Sequence, residues 1–528
     1  MSFNRWKTLD HRSNISDKRF SKNFNIINRL YEHSLKNLIY ILNEYHNLKE
    51  ERRFWEILLG AWLSSFINQC HIEFIKNHKR FNKNIKIHSC YDYKEYNNLV
   101  NNDFFRYNLS KAIKSSKSNI EVISKDKKIS NKFIFKRTLY RIFSFFFSLN
   151  YLINIPSNSF WVKYSCIPFL IYKNKPTKFK KYDYEQRDNI RKLFINKFKK
   201  TKFSNFYTNF YNLLPYYLPI SYLEKFKILY EKYRNIRKFK KIISTHAHIV
   251  DDEFKFFLVN SINKKTKIYF YLHSGGYLFT KYLLFNKFEH NCCDKILYWG
   301  NFNHKKNKKV IPFYINRMLT FNKKQRNDIT NINYIIFFKD FFRYSFSNTE
   351  YSPNDYFRVY KDLIKKLNYF LPKNKIIIRL YGDKIDLLNK DHALNYYYKK
   401  IKKIFLNHAY ITFSDQNIVE QSNRAKLLIF TYCGTACLEM ISLNFPSVIY
   451  IDKKLSNYYN KEFYKEMNYF KENNIFFDEL SHMIKFIRKT DINEWWYSKA
   501  NQIVVSRFRE LFCKKMDQKN LYKKLIDV

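Results

Sequence analysis

From Lys240 onward, short apolar runs alternate with longer segments of helical periodicity, and this alternation restricts the fold more than any other feature. Strands that alternate with helices pair in parallel, so the pattern predicts an α/β fold of two doubly wound domains that face a ligand cleft. A basic linker at 320–328 separates the two halves. The predicted strands are 241–245, 265–272, 295–299, 334–338, 375–380, 410–413, 427–431 and 447–451, and the predicted helices are 252–262, 355–370, 393–406, 416–423, 435–443 and 458–473.

The chain before Lys240 has a different pattern. Between residues 18 and 79 apolar positions recur three and four apart, as at Trp55, Leu58 and Trp62, which predicts a helical hairpin. Loops are predicted for 80–135, and the aromatic-rich stretch 136–235 is predicted to be helical. The predicted domains are therefore an N-terminal helical segment with loops at 1–135, a domain completed by an α/β sheet at 136–319, a second α/β domain at 320–500 and a helical tail at 501–528.

Glycine is rare, with 6 residues in a chain of 528, where average usage would give ~37. Gly275 and Gly276 follow a predicted strand, and Gly434 lies between a predicted strand and a helix start. Turns of this kind expose backbone N–H groups to anionic ligands in α/β proteins. Each turn predicts an anion site, with an ordinary tight turn as the alternative.

The net charge of +52 and the pI near 9.8 partly reflect a composition rich in Lys, Asn, Ile, Phe and Tyr, as A/T-rich codons produce. Lys and Arg are spread along the whole chain, and no nucleic-acid-binding module is present, so no specific nucleic-acid partner is predicted. The positive field favours anions such as nucleotides, phosphosugars and the anionic inner membrane.

The eight cysteines form no C-x-x-C pair, and the N-terminus lacks an apolar signal core. These features predict a reduced, cytoplasmic protein in which Cys433 and Cys437 are core thiols. The longest apolar stretch, 142–155, is shorter than the roughly 20 residues that span a bilayer. It is predicted to be core, with peripheral contact to the inner membrane as the alternative.

The turn at Gly434 carries the sharpest candidate site. Thr435 is predicted to be the N-cap of the following helix, and Glu439 falls one turn later. Free N–H groups at such a helix start can hold a phosphate, and a carboxylate one turn later can accept hydrogen bonds from ribose or sugar hydroxyls. The alternative is an ordinary capped helix with a solvated Glu.

Two further residues are predicted to lie at the same cleft. His273, immediately before the Gly275 turn, can act as a general base or hold a phosphate oxygen, or can simply stabilise the turn. Arg379, near the end of a predicted strand, can bind a pyrophosphate, or can be a surface arginine.

A metal site is not predicted. His246 and His248, followed by Asp251 and Asp252, supply donors that a metal uses, but this spacing is common by chance. No Walker loop, H-E-x-x-H or G-x-S-x-G motif is present, so no cofactor is predicted beyond a nucleotide-activated donor as substrate.

Several motifs occur in fixed order and cover most of the chain: Asn43-Glu-Tyr-His46, the run from Arg53 to Leu63, His273-Ser-Gly-Gly-Tyr277, Tyr298-Trp-Gly300, Ile378-Arg379, Thr431-Tyr-Cys-Gly-Thr-Ala-Cys-Leu-Glu439 and Asn444-Phe-Pro446. Together they resemble the transferase family of bacterial O-antigen and surface-polysaccharide biosynthesis gene clusters. This resemblance implies two Rossmann-like domains of the GT-B class, and it includes His46 as a reserve candidate for the base. The turn at His273 is also similar to the His-Gly turn of CDP-glycerol glycerophosphotransferases, although Ser274 stands where the family has Gly and Leu278-Phe279 replaces small residues.

The leading interpretation is a transferase that moves a glycosyl or glycerophosphoryl-type group to a lipid-linked or saccharide acceptor. The donor is expected at the C-terminal domain, through Gly434, Thr435 and Glu439, and the acceptor at the N-terminal one. A polyanion- or nucleic-acid-binding protein that stacks bases on its many aromatic residues is one alternative. A non-catalytic scaffold of a polysaccharide assembly complex is the other.

Overall fold

A computed structural model provides the structure of the protein. It describes residues 17–77, 151–154, 169–171, 193–194, 196, 214–215, 217–236, 238–245, 247–272, 275–282, 284–302, 308–315, 332–338, 353–370, 376–380, 410–413, 417–516 and 518–528. The chain divides into two compact units. The N-terminal unit comprises Asn25–Tyr271 and Leu284–Ile296, and the C-terminal unit comprises Met1–Phe24, Leu272–Leu283 and Leu297–Val528.

The regular elements follow the predicted alternation closely after Lys240. The strands are β1 Tyr151–Asn154, β2 Phe169–Ile171, β3 Lys241–Ser244, β4 Lys267–Tyr271, β5 Lys295–Trp299, β6 Val310–Phe313, β7 Ile332–Phe338, β8 Ile376–Leu380, β9 Tyr410–Phe413, β10 Ala425–Phe430, β11 Ser447–Tyr450 and β12 Phe476–Phe477. The helices are α1 Asp17–His46, α2 Arg52–Asn77, α3 Phe226–Arg234, α4 Ala247–Val250, α5 Asp252–Asn263, α6 Leu284–Cys292, α7 Pro353–Phe370, α8 Ile418–Asn423, α9 Thr435–Ser442, α10 Lys461–Glu472, α11 Leu480–Lys489, α12 Ile492–Tyr497, α13 Lys499–Phe512 and α14 Gln518–Asp527. The helix predicted at 393–406 lies outside the described residues.

The predicted helical hairpin is confirmed. Helices α1 and α2 are joined by residues 47–51, and α2 is buried on every side between Phe54 and Asn68. A helix that is apolar all round belongs inside a core, and the buried Trp55 and Trp62 occupy that core. Tyr31 of α1 donates from its hydroxyl to the buried Glu56 of α2 at 2.9 Å, so this carboxylate has a partner on the neighbouring helix.

The first sheet has the strand order β2-β1-β3-β4-β5-β6. Pairing is parallel between β2 and β1, β1 and β3, and β3 and β4, and Lys241 of β3 is aligned with Tyr151 on one side and Lys267 on the other. Strands β1 and β2 fall in the stretch 136–235, so the prediction that this stretch is helical is wrong at these positions. Most residues of β1 and β2 are aromatic, isoleucine or leucine, and aromatic and β-branched residues are enriched in strands.

The second sheet lies wholly in the C-terminal unit and has the strand order β12-β11-β10-β7-β8-β9. All five neighbouring pairs are parallel. In β10 the residues Leu427 to Phe430 are buried without the alternation of a half-exposed strand, as expected when helices cover both faces. Parallel pairing throughout the second sheet and across β2, β1, β3 and β4 of the first, together with the connecting helices, confirms the predicted α/β class.

The described helices include none that is both long enough and apolar enough to cross a membrane. Six cysteines lie in the described part of the chain, and all six are buried free thiols. Burial raises the pKa of the Cys437 thiol, which favours the protonated form. Cys433 and Cys437 are therefore core thiols, as predicted.

Candidate active site

The strand order of the C-terminal sheet identifies where a ligand would bind. The chain runs from β7 outward to β8 and β9, then returns to the opposite side of β7 to form β10. The carboxyl ends of β7 and β10 therefore flank a topological switch point, which is where open α/β sheets bind their ligands. The turn that contains Gly434 leaves β10 at this switch point and leads directly into α9.

The backbone of this turn is held by the neighbouring elements. Thr431 donates from its amide at 3.2 Å and from its hydroxyl at 2.6 Å to the carbonyl of Phe337 at the end of β7. The Tyr360 hydroxyl of α7 donates to the carbonyl of Thr431. Because side-chain and backbone donors both hold Thr431, the start of α9 has a defined position at the switch point.

The prediction that Thr435 is the N-cap of α9 is wrong. Gly434 is the N-cap, with φ −135° and ψ −165°, and it has no side chain to cap the helix. Thr435 is the first helical residue, and its Oγ1 instead accepts a hydrogen bond from the amide of Gly275 at 3.3 Å. The first amide groups of α9 thus lack a side-chain cap, which is the arrangement that binds anions at helix N-termini.

The Gly275 turn lies against the same helix start. Residues Gly275–Leu278 form one turn of 3₁₀ helix, and the carbonyl of Gly276 accepts hydrogen bonds from the Phe279 amide at 3.3 Å and the Thr280 hydroxyl at 3.1 Å. The structure therefore brings Gly275 and Thr435 into direct contact, although the Gly275 turn was predicted to belong to the N-terminal α/β domain and is part of the C-terminal unit. His273 and Ser274 lie outside the described residues.

Glu439 lies on α9, one turn after the helix start, and is buried with 4% of its surface exposed. This burial excludes the alternative of a solvated helix glutamate. A buried carboxylate on a helix at the switch point is a strong acceptor for hydroxyl donors.

Arg379 is buried near the carboxyl end of β8, in register with Phe337 of β7. Its guanidinium donates to the side-chain amide oxygen of Gln421 on α8. The residue is therefore not a plain surface arginine. Its predicted role in binding a pyrophosphate stays a prediction.

His46, the reserve candidate for the base, lies in the N-terminal unit at the end of α1. Its Nε2 is 3.1 Å from the carbonyl oxygen of Tyr222, and its ring stacks on that of Phe226 at 4.1 Å between centroids. Burial lowers the pKa of His46 to about 4, so the ring is neutral at pH 7 and donates from Nε2 to the carbonyl. These contacts are those of a packing residue, and a base of so low a pKa is weak near neutrality.

The pair of His248 and Glu289 was missed by the sequence analysis, because the two residues are far apart in the chain. Nε2 of His248 is 2.9 Å from Glu289, its Nδ1 is 3.0 Å from the Ser244 hydroxyl, and its ring stacks on Phe270. Burial lowers the pKa of His248 to about 3 and raises that of Glu289 to about 8. The pair is therefore neutral, with the Glu289 carboxyl donating to Nε2 and Nδ1–H donating to Ser244.

The His and Asp residues between 246 and 252, whose side chains a metal could use, serve other purposes where they are described. Asp251 caps α5 by accepting from the amide of Phe254 at 3.0 Å. Asp252 is buried and accepts from the hydroxyls of Ser221 and Tyr222 and from the ammonium of Lys255. His246 lies outside the described residues, and the described part of the chain has no group of three His, Cys, Asp or Glu residues placed to hold a metal.

A cavity of about 350 Å³ opens beside the carboxyl ends of β11 and β12. The Tyr450 hydroxyl donates to Asp452 at 2.9 Å, and Lys453 pairs with Glu479 at 3.0 Å. Lys471 pairs with Asp478 at 2.7 Å. Much of the acidic charge at this cavity is thus matched by neighbouring donors within the protein.

Solved structures with low sequence identity resemble the chain in part. Anabaena Alr3699/HepE, solved in complex with UDP and glucose, is 10% identical, and the match covers 72% of this chain and 98% of that chain with a TM-score of 0.39. A trehalose-6-phosphate protein from E. coli, bound with UDP-2-fluoro glucose, is also 10% identical, and the match covers 71% and 98% with a TM-score of 0.39. TarM is 12% identical with a TM-score of 0.36, and the match covers 57% of this chain and 57% of TarM, which is less than two thirds of its length.

Comparison with curated proteins finds no match. One protein-family model, however, matches residues 7–525, which is nearly the whole chain and includes both glycine turns and the start of α9. The chain therefore belongs to the LIC12162 family of transferases.

Proposed function

We propose that this transferase moves a glycosyl or related group from a nucleotide-activated donor to an acceptor in surface-polysaccharide biosynthesis. The observation that carries the proposal is the contact between Gly275 and Thr435 at the uncapped start of α9. This contact lies at the switch point of a parallel sheet, where a phosphate-bearing ligand is expected.

In this proposal the donor phosphates lie at the amide groups that open α9, next to Gly434 and Thr435. Gly275 and Gly276 approach the same phosphates from the neighbouring turn, and Glu439 accepts hydrogen bonds from ribose or sugar hydroxyls. Arg379 adds positive charge for a pyrophosphate. The helix dipole and the amides that open α9 favour the charge that develops on the leaving phosphate.

His273 is the proposed base. For a glycosyl donor, the acceptor oxygen bonds to the anomeric carbon while the bond from that carbon to the donor phosphate oxygen breaks. The nucleotide leaves with the electron pair, and the proton of the acceptor hydroxyl passes to the His273 imidazole. In the variant mechanism the same imidazole, when protonated, donates to the leaving phosphate.

The acceptor is proposed to be lipid-linked or a saccharide, and to be reached at the surface of the anionic inner membrane. The net charge of +52 supports this location, because anionic lipid attracts Lys and Arg side chains near its surface. A cytoplasmic location is part of the same proposal.

Thermal-shift measurements with CDP-, UDP-, GDP- and CMP-linked donors test the proposed function. A donor present at about 100 times its dissociation constant adds about 2.7 kcal/mol of stability, so we expect one nucleotide class to raise the melting temperature clearly above the others. Heparin serves as the control for general polyanion binding. Stabilisation by heparin with no response to any of the four donor classes would contradict the proposal and support the polyanion-binding alternative.

A further inference from the structure

Residues 275–282, here named the seating segment, follow β4 in the chain but belong by their contacts to the C-terminal unit. The amide of Lys281 donates to the carbonyl of Tyr458 at 3.0 Å, and the amide of Asn460 donates to the carbonyl of Phe279 at 2.9 Å. Thr280 and Tyr459 form an antiparallel bridge. The far end of the segment is thus hydrogen-bonded to the chain before α10.

The side chain of Phe279 anchors the same end of the segment. It is fully buried, and its ring lies 4.5 Å from that of Phe463 and 5.2 Å from that of Phe512 between centroids. Burial of a phenylalanine side chain is a large favourable contribution, so this end of the segment has little freedom to shift.

The near end of the segment lies against α9 without any space between them. A Cβ atom placed on Gly275 would be 2.3 Å from Cδ1 and 3.2 Å from Cγ of Leu438, and 3.5 Å from the carbonyl carbon of Gly434. Leu438 is itself fully buried, so its side chain cannot turn away into solvent. Only glycine at position 275 allows this approach and the hydrogen bond from its amide to Thr435.

We propose that Gly275 is a positioning residue for the transfer step. Because the far end of the segment is anchored, a side chain at position 275 must displace the near end, which directly follows His273 and Ser274 in the chain. The absence of a side chain therefore keeps the turn that directly follows the proposed base in contact with the donor helix. This inference rests on the proposed function, and it assigns to Gly275 a steric role beside the hydrogen bond from its amide to Thr435.

The test is a set of variants built around the contact of Gly275 with Leu438. Gly275→Ala is expected to lower kcat at least tenfold, measured as nucleotide released from the donor that stabilises the wild-type protein. The dissociation constant of that donor is expected to change less than kcat does. In Gly275→Ala/Leu438→Ala the space for the new methyl group is restored, so kcat is expected to return to within threefold of that of Leu438→Ala alone.

Gly60→Ala provides a matched control in the N-terminal unit. A Cβ atom at Gly60 would be 2.4 Å from the ring of Phe288, so this variant introduces a comparable clash on α2. It is expected to lower the melting temperature while leaving kcat of the folded protein unchanged. An equal loss of kcat in Gly60→Ala and Gly275→Ala would overturn the positioning role.

The outcomes separate this inference from the proposed function. If no nucleotide-linked donor stabilises the wild-type protein, the proposed function fails. If a donor binds and turns over but Gly275→Ala keeps the wild-type kcat, only the inference fails. If Gly275→Ala does not fold, the double variant Gly275→Ala/Leu438→Ala is compared with Leu438→Ala alone. Equal kcat values would support the inference, and a tenfold lower kcat in the double variant would overturn it.

Discussion

At the scale of single residues, the chemistry proposed for this transferase depends on His273 and Glu439. Glu439 is buried on α9, and His273 precedes the Gly275 turn in the sequence. The two residues have different roles in the proposal, one in the chemical step and one in donor binding, so their variants should change different kinetic quantities.

His273→Ala is expected to lower turnover by roughly 10²–10⁴-fold, the range of general acid–base catalysis, with a melting temperature close to that of the wild type. Steady-state kinetics and thermal melting of the same preparations provide the measurement. Ser274→Gly is the control, because it moves toward the family pattern and should be tolerated. A loss of stability with full turnover in His273→Ala would mean that the histidine only stabilises its turn.

Glu439→Gln is expected to weaken donor binding by roughly 1.5–3 kcal/mol, because the amide keeps the shape of the side chain but loses the charged acceptor. Isothermal titration calorimetry with the stabilising donor measures the change. Glu472→Gln, at an exposed position on α10, is the matched control and should bind like the wild type. Equal affinities of Glu439→Gln and the control would remove Glu439 from the site.

At the scale of secondary-structure elements, β12, α6, α11 and α12 are absent from the elements predicted after Lys240. Most of the other strands and helices in that part of the chain could be predicted because their hydrophobic periods are clear. Strands β1 and β2 could not, since they have four and three residues and their pairing partners are remote in the chain. Short apolar runs rich in aromatic residues fit either element. The cap of α9 was misassigned because the partner of Thr435 is Gly275, a contact that local sequence cannot reveal.

The pair of His248 and Glu289 connects the end of β3 and α4 to α6 and makes stability depend on pH. Burial raises the pKa of Glu289 to about 8, well above its value of about 4.3 in an unfolded chain. Between about pH 4.3 and pH 8, Glu289 is therefore protonated in the folded state and ionised in the unfolded state. The stability from this proton is complete below pH 4 and is lost as pH rises through 8.

Glu289→Gln retains a donor for Nε2 of His248 but has no carboxyl to ionise. We expect the variant to become more stable than the wild type as pH rises, because only the wild type loses this proton. Between acid pH and pH 7, the difference in free energy of unfolding should change by on the order of 3 kcal/mol in favour of the variant. Denaturant unfolding at pH 5 and pH 8 measures the difference, and Glu289→Ala, which removes the donor, should be less stable at both. A difference between Glu289→Gln and the wild type that does not change with pH would refute the neutral pair.

At the scale of the whole molecule, the sequence supported the α/β class, the two parallel sheets and membership of a transferase family, and it singled out both glycine turns. It did not indicate that 272–283 belongs with the C-terminal unit, because such packing depends on contacts such as Phe279 with Phe512. The sequence also gives the net charge of the whole chain, +52, and this charge has a measurable consequence for binding to anionic membranes.

Binding to anionic membranes should depend strongly on salt. The charge of +52 predicts association with vesicles that contain phosphatidylglycerol, and little association with phosphatidylcholine vesicles. Raising NaCl from about 0.1 M to 1 M shortens the Debye length from about 10 Å to 3 Å, so most of the binding should be lost. Vesicle sedimentation provides the measurement. Binding that does not respond to salt, or equal binding to both vesicle types, would argue against an electrostatic membrane contact.

The central claim is that the donor binds where the Gly275 turn meets the start of α9. Hydrogen–deuterium exchange, with and without the stabilising donor, locates the bound ligand directly by the amides that it protects. We expect protection of residues 434–439 and 275–276, with no change in α2. Protection confined to other parts of the chain, with unchanged exchange at 434–439, would contradict the account.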